Sequence, residues 1–204
     1  MKVGIMGGTF DPIHNGHISI AKIALDQYSL DYIWFLPNGN PPHKSNALIS
    51  SSVNDRVQMI RLAIDKCPYF CLEEYEIRDK KVSYSYKTME YLTDKYKDYE
   101  FYFILGADSL FSLEDWKYPN RLMDVCTILV AYREENDTRD TMYSHVNYLK
   151  NKYNADIKLI KSPIIDISSH EIRNDLEKGI DISDKLPESV YTYIESNNLY
   201  KVIL

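Results

Sequence analysis

Two histidines three residues apart, His14 and His17, stand in the segment GGTFDPIHNGH (residues 7–17), directly behind a short apolar run, MKVGIM. The residue types suit phosphate. Gly7 and Gly8 carry no Cβ, so backbone N–H groups can come close to an anion, and a helix beginning just after them adds about half a positive charge at its N-terminus. Across that helix start, His14 and His17 can aim imidazole N–H groups at one phosphate chain and adjust their protonation to its charge. Hydride transfer and P-loop hydrolysis lose ground, because Gly4, Gly7 and Gly8 do not make GxGxxG and GxxxxGK[ST] is absent. Two histidines alone would read as helix caps. Gly, Phe, Pro, His, Gly and His together at these spacings arise by chance on the order of once in a million chains.

A second group of residues shares the same chemistry. Pro41-Pro42-His43-Lys44 puts cationic or potentially cationic groups on a proline-stiffened loop, which reduces the entropy lost on closing over phosphates. ISSHEIR (167–173) opens a helix with two capping-type serines, and Arg173 stands at a spacing that reaches the same phosphates as Ser168 and Ser169. LGADS (105–109) places Gly106 and Asp108 at the end of an apolar run, where Asp108 can accept ribose hydroxyls or cap a helix starting at Ser109.

The elements that must position these residues are legible as alternation. β-prone runs at Val3 to Met6, Tyr32 to Leu36, Phe70 to Ile77, Glu100 to Leu105, Thr127 to Tyr132 and Asp156 to Ile160 alternate with helical periods. The latter cover Ile18 to Tyr28, Val53 to Lys66, Tyr86 to Tyr96, Thr138 to Tyr153, His170 to Lys178 and Glu188 to Ser196. This pattern predicts an α/β chain, a Rossmann-like open parallel sheet with helices on both faces, as a single domain over residues 1–204. The GGTFDPIHNGH turn then lies at the first strand-to-helix crossover, beside the place where strand order reverses and ligands bind. The long irregular stretch from Pro37 to Ser52 is of the kind that usually carries function.

Composition bounds the partners. A net charge of −6 argues against nucleic acid, which needs clustered Lys and Arg. No apolar stretch approaches the roughly 18 residues of a membrane span and no signal peptide is evident, so a cytoplasmic chain is expected. Cys67 and Cys71 lack a second Cys/His pair at zinc spacing, and reduced thiols are the expectation. A homo-oligomer is left open.

Residues 8–17, GTFDPIHNGH, resemble the GxFxPxHxGH signature of nucleotidyltransferases that move a nucleoside monophosphate from a triphosphate and release pyrophosphate. LPNGNPPHK (36–44), VSYSYKT (82–88), LGADSLFSLEDW (105–116), ISSHEIR (167–173) and LPESVYTYIESNNLY (186–200) fall in the order and spacing of the bacterial nicotinate-nucleotide adenylyltransferase family. The resemblance spans nearly the whole chain. It implies ATP and nicotinate mononucleotide as substrates, deamido-NAD and pyrophosphate as products, and Mg²⁺ arriving with ATP rather than on protein ligands. It further implies that His14, His17, Lys44 and Arg173 act in the reaction. ATP would be held by Gly7, Gly8, Thr9, Phe10, His14, His17, Gly106, Asp108, Ile167, Ser168, Ser169 and Arg173. The acceptor would be held by Lys44, Tyr84, Ser85 and Trp116, with Trp116 stacking on the pyridine ring. Ser85 stands where the family usually has Thr, Lys87 where an acidic or neutral residue is common, and His170 where Thr or Met often follows the serines. Lys87 is expected to face solvent. A phosphopantetheine adenylyltransferase, an amide-preferring enzyme and a non-catalytic nucleotide sensor are the alternatives, the first disfavoured by His14 and the PPHK loop.

Overall fold

The computed structural model describes residues 1–40, 49–79, 82–133, 139–162 and 167–200 of the 204-residue chain. Strands β1 (Lys2–Gly8), β2 (Tyr32–Pro37), β3 (Phe70–Leu72), β4 (Glu100–Gly106), β5 (Thr127–Arg133) and β6 (Ile157–Ser162) form one sheet. Its order is β3-β2-β1-β4-β5-β6, and every pair is parallel. The order reverses between β1 and β4, whose register pairs Met6 with Ile104. Loops leaving the carboxyl ends of these two strands therefore diverge to opposite sides and leave a crevice.

Strand alternation splits the core into two layers, because successive side chains point to opposite faces. Val3, Ile5, Phe101, Phe103, Leu105, Ile128 and Val130 pack on one face against α4 (Ser85–Lys95), α6 (Pro119–Val125) and α7 (Arg139–Tyr153). Met6, Tyr102, Ile104 and Leu129 pack on the other against α1 (Asn15–Gln27), α2 (Val53–Ile64), α8 (Ser169–Glu177) and α9 (Glu188–Ser196). With both faces covered, the strands read as continuous apolar runs, as parallel sheets do.

The expected elements recur with shifted ends, and two regions differ. The run Phe70 to Ile77, expected as one strand, is β3 of three residues followed by the short helix α3 (Tyr75–Arg78). Glu73 N–H makes the last bond to Phe35 O at 2.9 Å, and the Glu73 carboxylate then accepts Tyr75 N–H at 2.9 Å and turns the chain. Glu74 fixes the turn by pairing with Arg61 at 2.6 Å and Arg78 at 2.5 Å. The segment after β4 begins its helix at Ala107 rather than Ser109, as α5 (Ala107–Phe111) capped by Gly106, so Asp108 lies within the first turn and is not the cap. A 3₁₀ turn (Leu113–Asp115) and α6 follow, the latter started by Tyr118 in the left-handed region and Pro119 at the first helical position. Among the described residues no helix is long and apolar enough to cross a membrane.

Candidate active site

The crevice at the strand-order reversal opens into two clefts that share Gly7, Ile104, Leu105, Gly106 and Ser109. One, of about 830 Å³, is lined by His14, His17, Asp108, Ile167, Ser168 and Ser169. The other, of about 580 Å³, is lined by Gly8, Thr9, Tyr84, Ser85 and Trp116. A ligand chain crossing Gly7 and Gly106 would join them. Gly106 has open space where a Cβ would project, so nothing among the described residues demands glycine there.

The larger cleft is headed by two helix starts. His14 caps α1 in extended conformation, and α8 begins at Ser169 with Ser168 as its cap, the Ser168 hydroxyl accepting Glu171 N–H at 3.2 Å. Each helix leaves its first N–H groups without intrahelical acceptors, which suits an anion between them. Ser169 Oγ donates to Pro12 O at 2.9 Å and ties α8 to the signature turn.

The two imidazoles lie ring against ring, centroids 3.7 Å apart and tilted by 33°. His14 is 6% exposed, and burial lowers its pKa from 6.5 to about 4. His17 is also held well below its ordinary value, by burial first and by His14 second. Both are therefore neutral near pH 7. His17 Nδ1 accepts His14 N–H at 3.3 Å, which places the His17 proton on Nε2, where it can be donated. Nδ1 of His14 is buried and has no hydrogen-bond partner among the described residues. His17 is not a bare helix-start residue: it is half-buried, with the Phe10 ring edge-on at 5.0 Å.

Phe10 itself is buried beneath the turn, at φ 53, and lines neither cleft. Gly8 and Thr9, expected around ATP, line the smaller cleft. Arg173 Nη1 donates to Asp11 O at 2.6 Å and to Ser169 O at 3.2 Å, which places the guanidinium beside the turn rather than in the lining of the larger cleft. Lys44 and His43 lie outside the described residues.

In the smaller cleft Tyr84 caps α4, whose first internal bond runs from Thr88 N–H to Tyr84 O at 3.2 Å. The Ser85 and Tyr86 N–H groups head that helix. The Trp116 ring is half-buried, edge-on to Phe103 at 6.4 Å. Lys87 is exposed, its Nζ 5.5 Å from the Tyr84 ring centre. Among the described residues no group of three or more His, Cys, Asp or Glu side chains is placed to hold a metal; Cys67, Cys71 and Cys126 are free thiols.

Sequence reasoning missed the residues that fix the turn from beneath. Asp11, 3% exposed, accepts Ser50 N–H at 2.8 Å, Ser51 N–H at 3.2 Å, the Ser51 hydroxyl, and the Tyr200 hydroxyl at 2.8 Å. Arg56, 1% exposed, donates from Nη1 to Thr9 O at 2.8 Å and to Asn38 O at 3.0 Å, joining the ends of β1 and β2. Their signal in the sequence was faint: a charged residue within the apolar period of α2, and an acid inside the signature.

A six-stranded parallel sheet with an anion-binding double helix start and a second, aromatic-walled cleft across its switch point defines a nucleotide-binding α/β enzyme. The cytidylyltransferase-like family model matches residues 5–175. A Clostridium novyi protein named "Probable nicotinate-nucleotide adenylyltransferase" is 40% identical over 200 residues, covering 98% of this chain and 99% of its own. A Clostridium botulinum (strain Okra) protein of the same name is 39% identical over 197 residues, 97% and 98% of the two chains. The chain belongs to the cytidylyltransferase-like family and, within it, to the nicotinate-nucleotide adenylyltransferases. Its fold is shared with the Plasmodium falciparum nicotinic acid mononucleotide adenylyltransferase. The form solved with NaAD superposes with a TM-score of 0.78 at 23% identity, and the form with APC with 0.77 at 21%, each over 98% of this chain. They cover 97% and 96% of those chains.

Proposed function

We infer that the protein is an adenylyltransferase that joins ATP to nicotinate mononucleotide, giving deamido-NAD and pyrophosphate in NAD biosynthesis. One observation carries the reading: two clefts of different chemistry meet at Gly7 and Gly106, one suited to a triphosphate and one to a flat ring bearing an anion. The acceptor's 5′-phosphate attacks the α-phosphorus of ATP, a P–O bond forms, and the bond to the leaving pyrophosphate breaks. The phosphate oxygen is already ionised, so no protein nucleophile is required, and alignment alone can supply roughly 7–11 kcal/mol.

His14 and His17 donate to oxygens of the α- and β-phosphates, and the N-termini of α1 and α8 face the remaining charge. Arg173 leaves or shares its Asp11 contact to reach the departing pyrophosphate, and Lys44, outside the described residues, is assigned the clamp on the phosphates. Asp108 and Gly106 bear on the adenosine side, with Ile167 and Ser168 closing it. Tyr84 and Ser85 present α4's leading amides to the acceptor carboxylate, and Trp116 stacks on the pyridine ring. Mg²⁺ comes with ATP, held by phosphate oxygens and water rather than by a dedicated protein cage. The cytoplasm is the compartment this reading assigns.

The test is product analysis after incubation with ATP, Mg²⁺ and a panel of acceptor phosphates. Deamido-NAD and pyrophosphate are expected with nicotinate mononucleotide. Phosphopantetheine as the only productive acceptor would overturn the assignment.

A further inference from the structure

The smaller cleft contains a buried acid for which the reaction has no use. Glu76, on α3, is 6% exposed and lines the same cavity as Tyr84, Ser85 and Trp116. A carboxyl group beside the place where a carboxylate-bearing acceptor must sit would repel it, unless its oxygens are engaged and its charge is muted. The first condition holds, and burial works toward the second. Thr88 Oγ1 donates to Glu76 Oε1 at 2.7 Å, and Ser83, which lines the same cleft, is close enough to favour the charged form of this carboxyl. Burial raises the pKa of the Glu76 carboxyl, while its hydrogen bonds to neighbouring hydroxyls work against the rise.

The partners of Glu76 bracket the acceptor-reading segment. Ser83 precedes Tyr84, the cap of α4, and Thr88, itself 1% exposed, closes the first turn behind it. Ser83 is also joined to the end of β2, its N–H donating to Asn40 O at 3.0 Å and its Oγ accepting Asn40 N–H at 3.3 Å. The main-chain carbonyl of Glu76 presses on Gly39 so closely that a Cβ there would collide with it. The exit of β2, α3 and the head of α4 therefore meet in one polar knot around this side chain.

We propose that Glu76 is a positioning residue for the acceptor, holding the Ser83–Ser85 segment at the angle at which the leading amides of α4 meet the acceptor's carboxylate. The inference rests on the adenylyltransferase reading above. It assigns Glu76 no contact with the reacting phosphates, so its loss should strike recognition of the acceptor and spare that of ATP.

The experiment compares wild type, Glu76→Ala, Glu76→Gln and Thr88→Val by steady-state kinetics, varying ATP, nicotinate mononucleotide and nicotinamide mononucleotide separately. Glu76→Ala is expected to raise KM for nicotinate mononucleotide about tenfold or more and to erode the acid-over-amide ratio, while KM for ATP stays within about twofold. Glu76→Gln, whose amide can still accept from Thr88 and donate to Ser83, should restore most of that ratio. Thr88→Val, which keeps shape and removes one donor, should raise the acceptor KM about threefold, and stands in if the alanine variant does not fold. An unchanged acid-over-amide ratio in the folded variants overturns the inference, as does an equal rise in KM for both substrates. A wild type that ignores nicotinate mononucleotide overturns the underlying reading instead, which keeps the two failures apart.

Discussion

His17 Nδ1 accepts the main-chain N–H of His14 at 3.3 Å while the two rings stack 3.7 Å apart. Two cations at that separation in a half-buried site would repel strongly, so the pair is built to be neutral when empty. On the proposed reading, it therefore first offers a phosphate two oriented donors rather than two charges. Negative charge arriving with a triphosphate reverses the balance and raises both pKa values, so the pair can take up a proton as the ligand binds.

If His17 acts as proposed, replacing it by Ala removes a donor aimed at charge that builds in the transition state, and a loss of about 10²–10³ in kcat is expected. The same change strips the acceptor from His14 N–H and the ring from Phe10, so a stability loss of about 1 kcal/mol should accompany it. Kinetics on the folded variant, with its unfolding midpoint measured alongside, decide the matter. Wild-type turnover would refute the role.

Burial of neutral His14 also makes stability depend on pH. Its pKa falls from 6.5 unfolded to about 4 folded, so the unfolded chain binds the proton more tightly between those values. The contribution is complete above pH 6.5 and is lost as pH falls toward 4, amounting to on the order of 3 kcal/mol. Thermal unfolding from pH 7.5 to 4.5 should show this slope in wild type and a shallower one in His14→Gln. Parallel curves would contradict it.

The legible part of this site consisted of residues whose partners are near in sequence. GGTFDPIHNGH and ISSHEIR reveal themselves because glycines, histidines and serines act on the turn or helix start they occupy. Arg56 acts on Thr9, 47 residues away, and Asp11 on Tyr200, 189 residues away; no local period records such a bond. Strand positions were readable from apolar runs, since a doubly covered parallel strand has little else in it. The run after Cys71 kept that look through Ile77, yet the Glu73 and Glu74 side chains turn it into α3 through bonds to Tyr75 N–H and Arg61. Gly8 and Thr9 share the signature with His14 but point toward the other cleft, a division that only the strand-order reversal creates.

Arg56, 1% exposed, holds the carbonyls of Thr9 and Asn38 beneath the turn, and truncation would take the charged donor away from both. At about 1–3 kcal/mol for each, Arg56→Ala should cost about 3 kcal/mol or more. In a chain of this size that lowers Tm by roughly 10 °C. Urea unfolding with an unchanged slope and a lower midpoint is the expected record. A midpoint equal to wild type would show that the clamp is idle.

Selectivity for the acid over the amide follows from the head of α4. On the proposed reading the acceptor carboxylate gains charge-assisted bonds from the Ser85 and Tyr86 N–H groups, roughly twice as strong as neutral ones. Nicotinamide turns an NH₂ toward these donors, and each amide left unpaired costs about 1–3 kcal/mol, so wild type should prefer the acid by tens-fold to hundreds-fold. Trp116→Ala should behave differently, because stacking depends on the ring and not on its substituent. The half-buried indole leaves the cleft wall as a unit, so KM rises for both acceptors and their ratio is kept. Measuring kcat/KM for both acceptors in both proteins separates the claims: equal use of acid and amide by wild type defeats the carboxylate pocket, and an unchanged acceptor KM in Trp116→Ala defeats the stacking role.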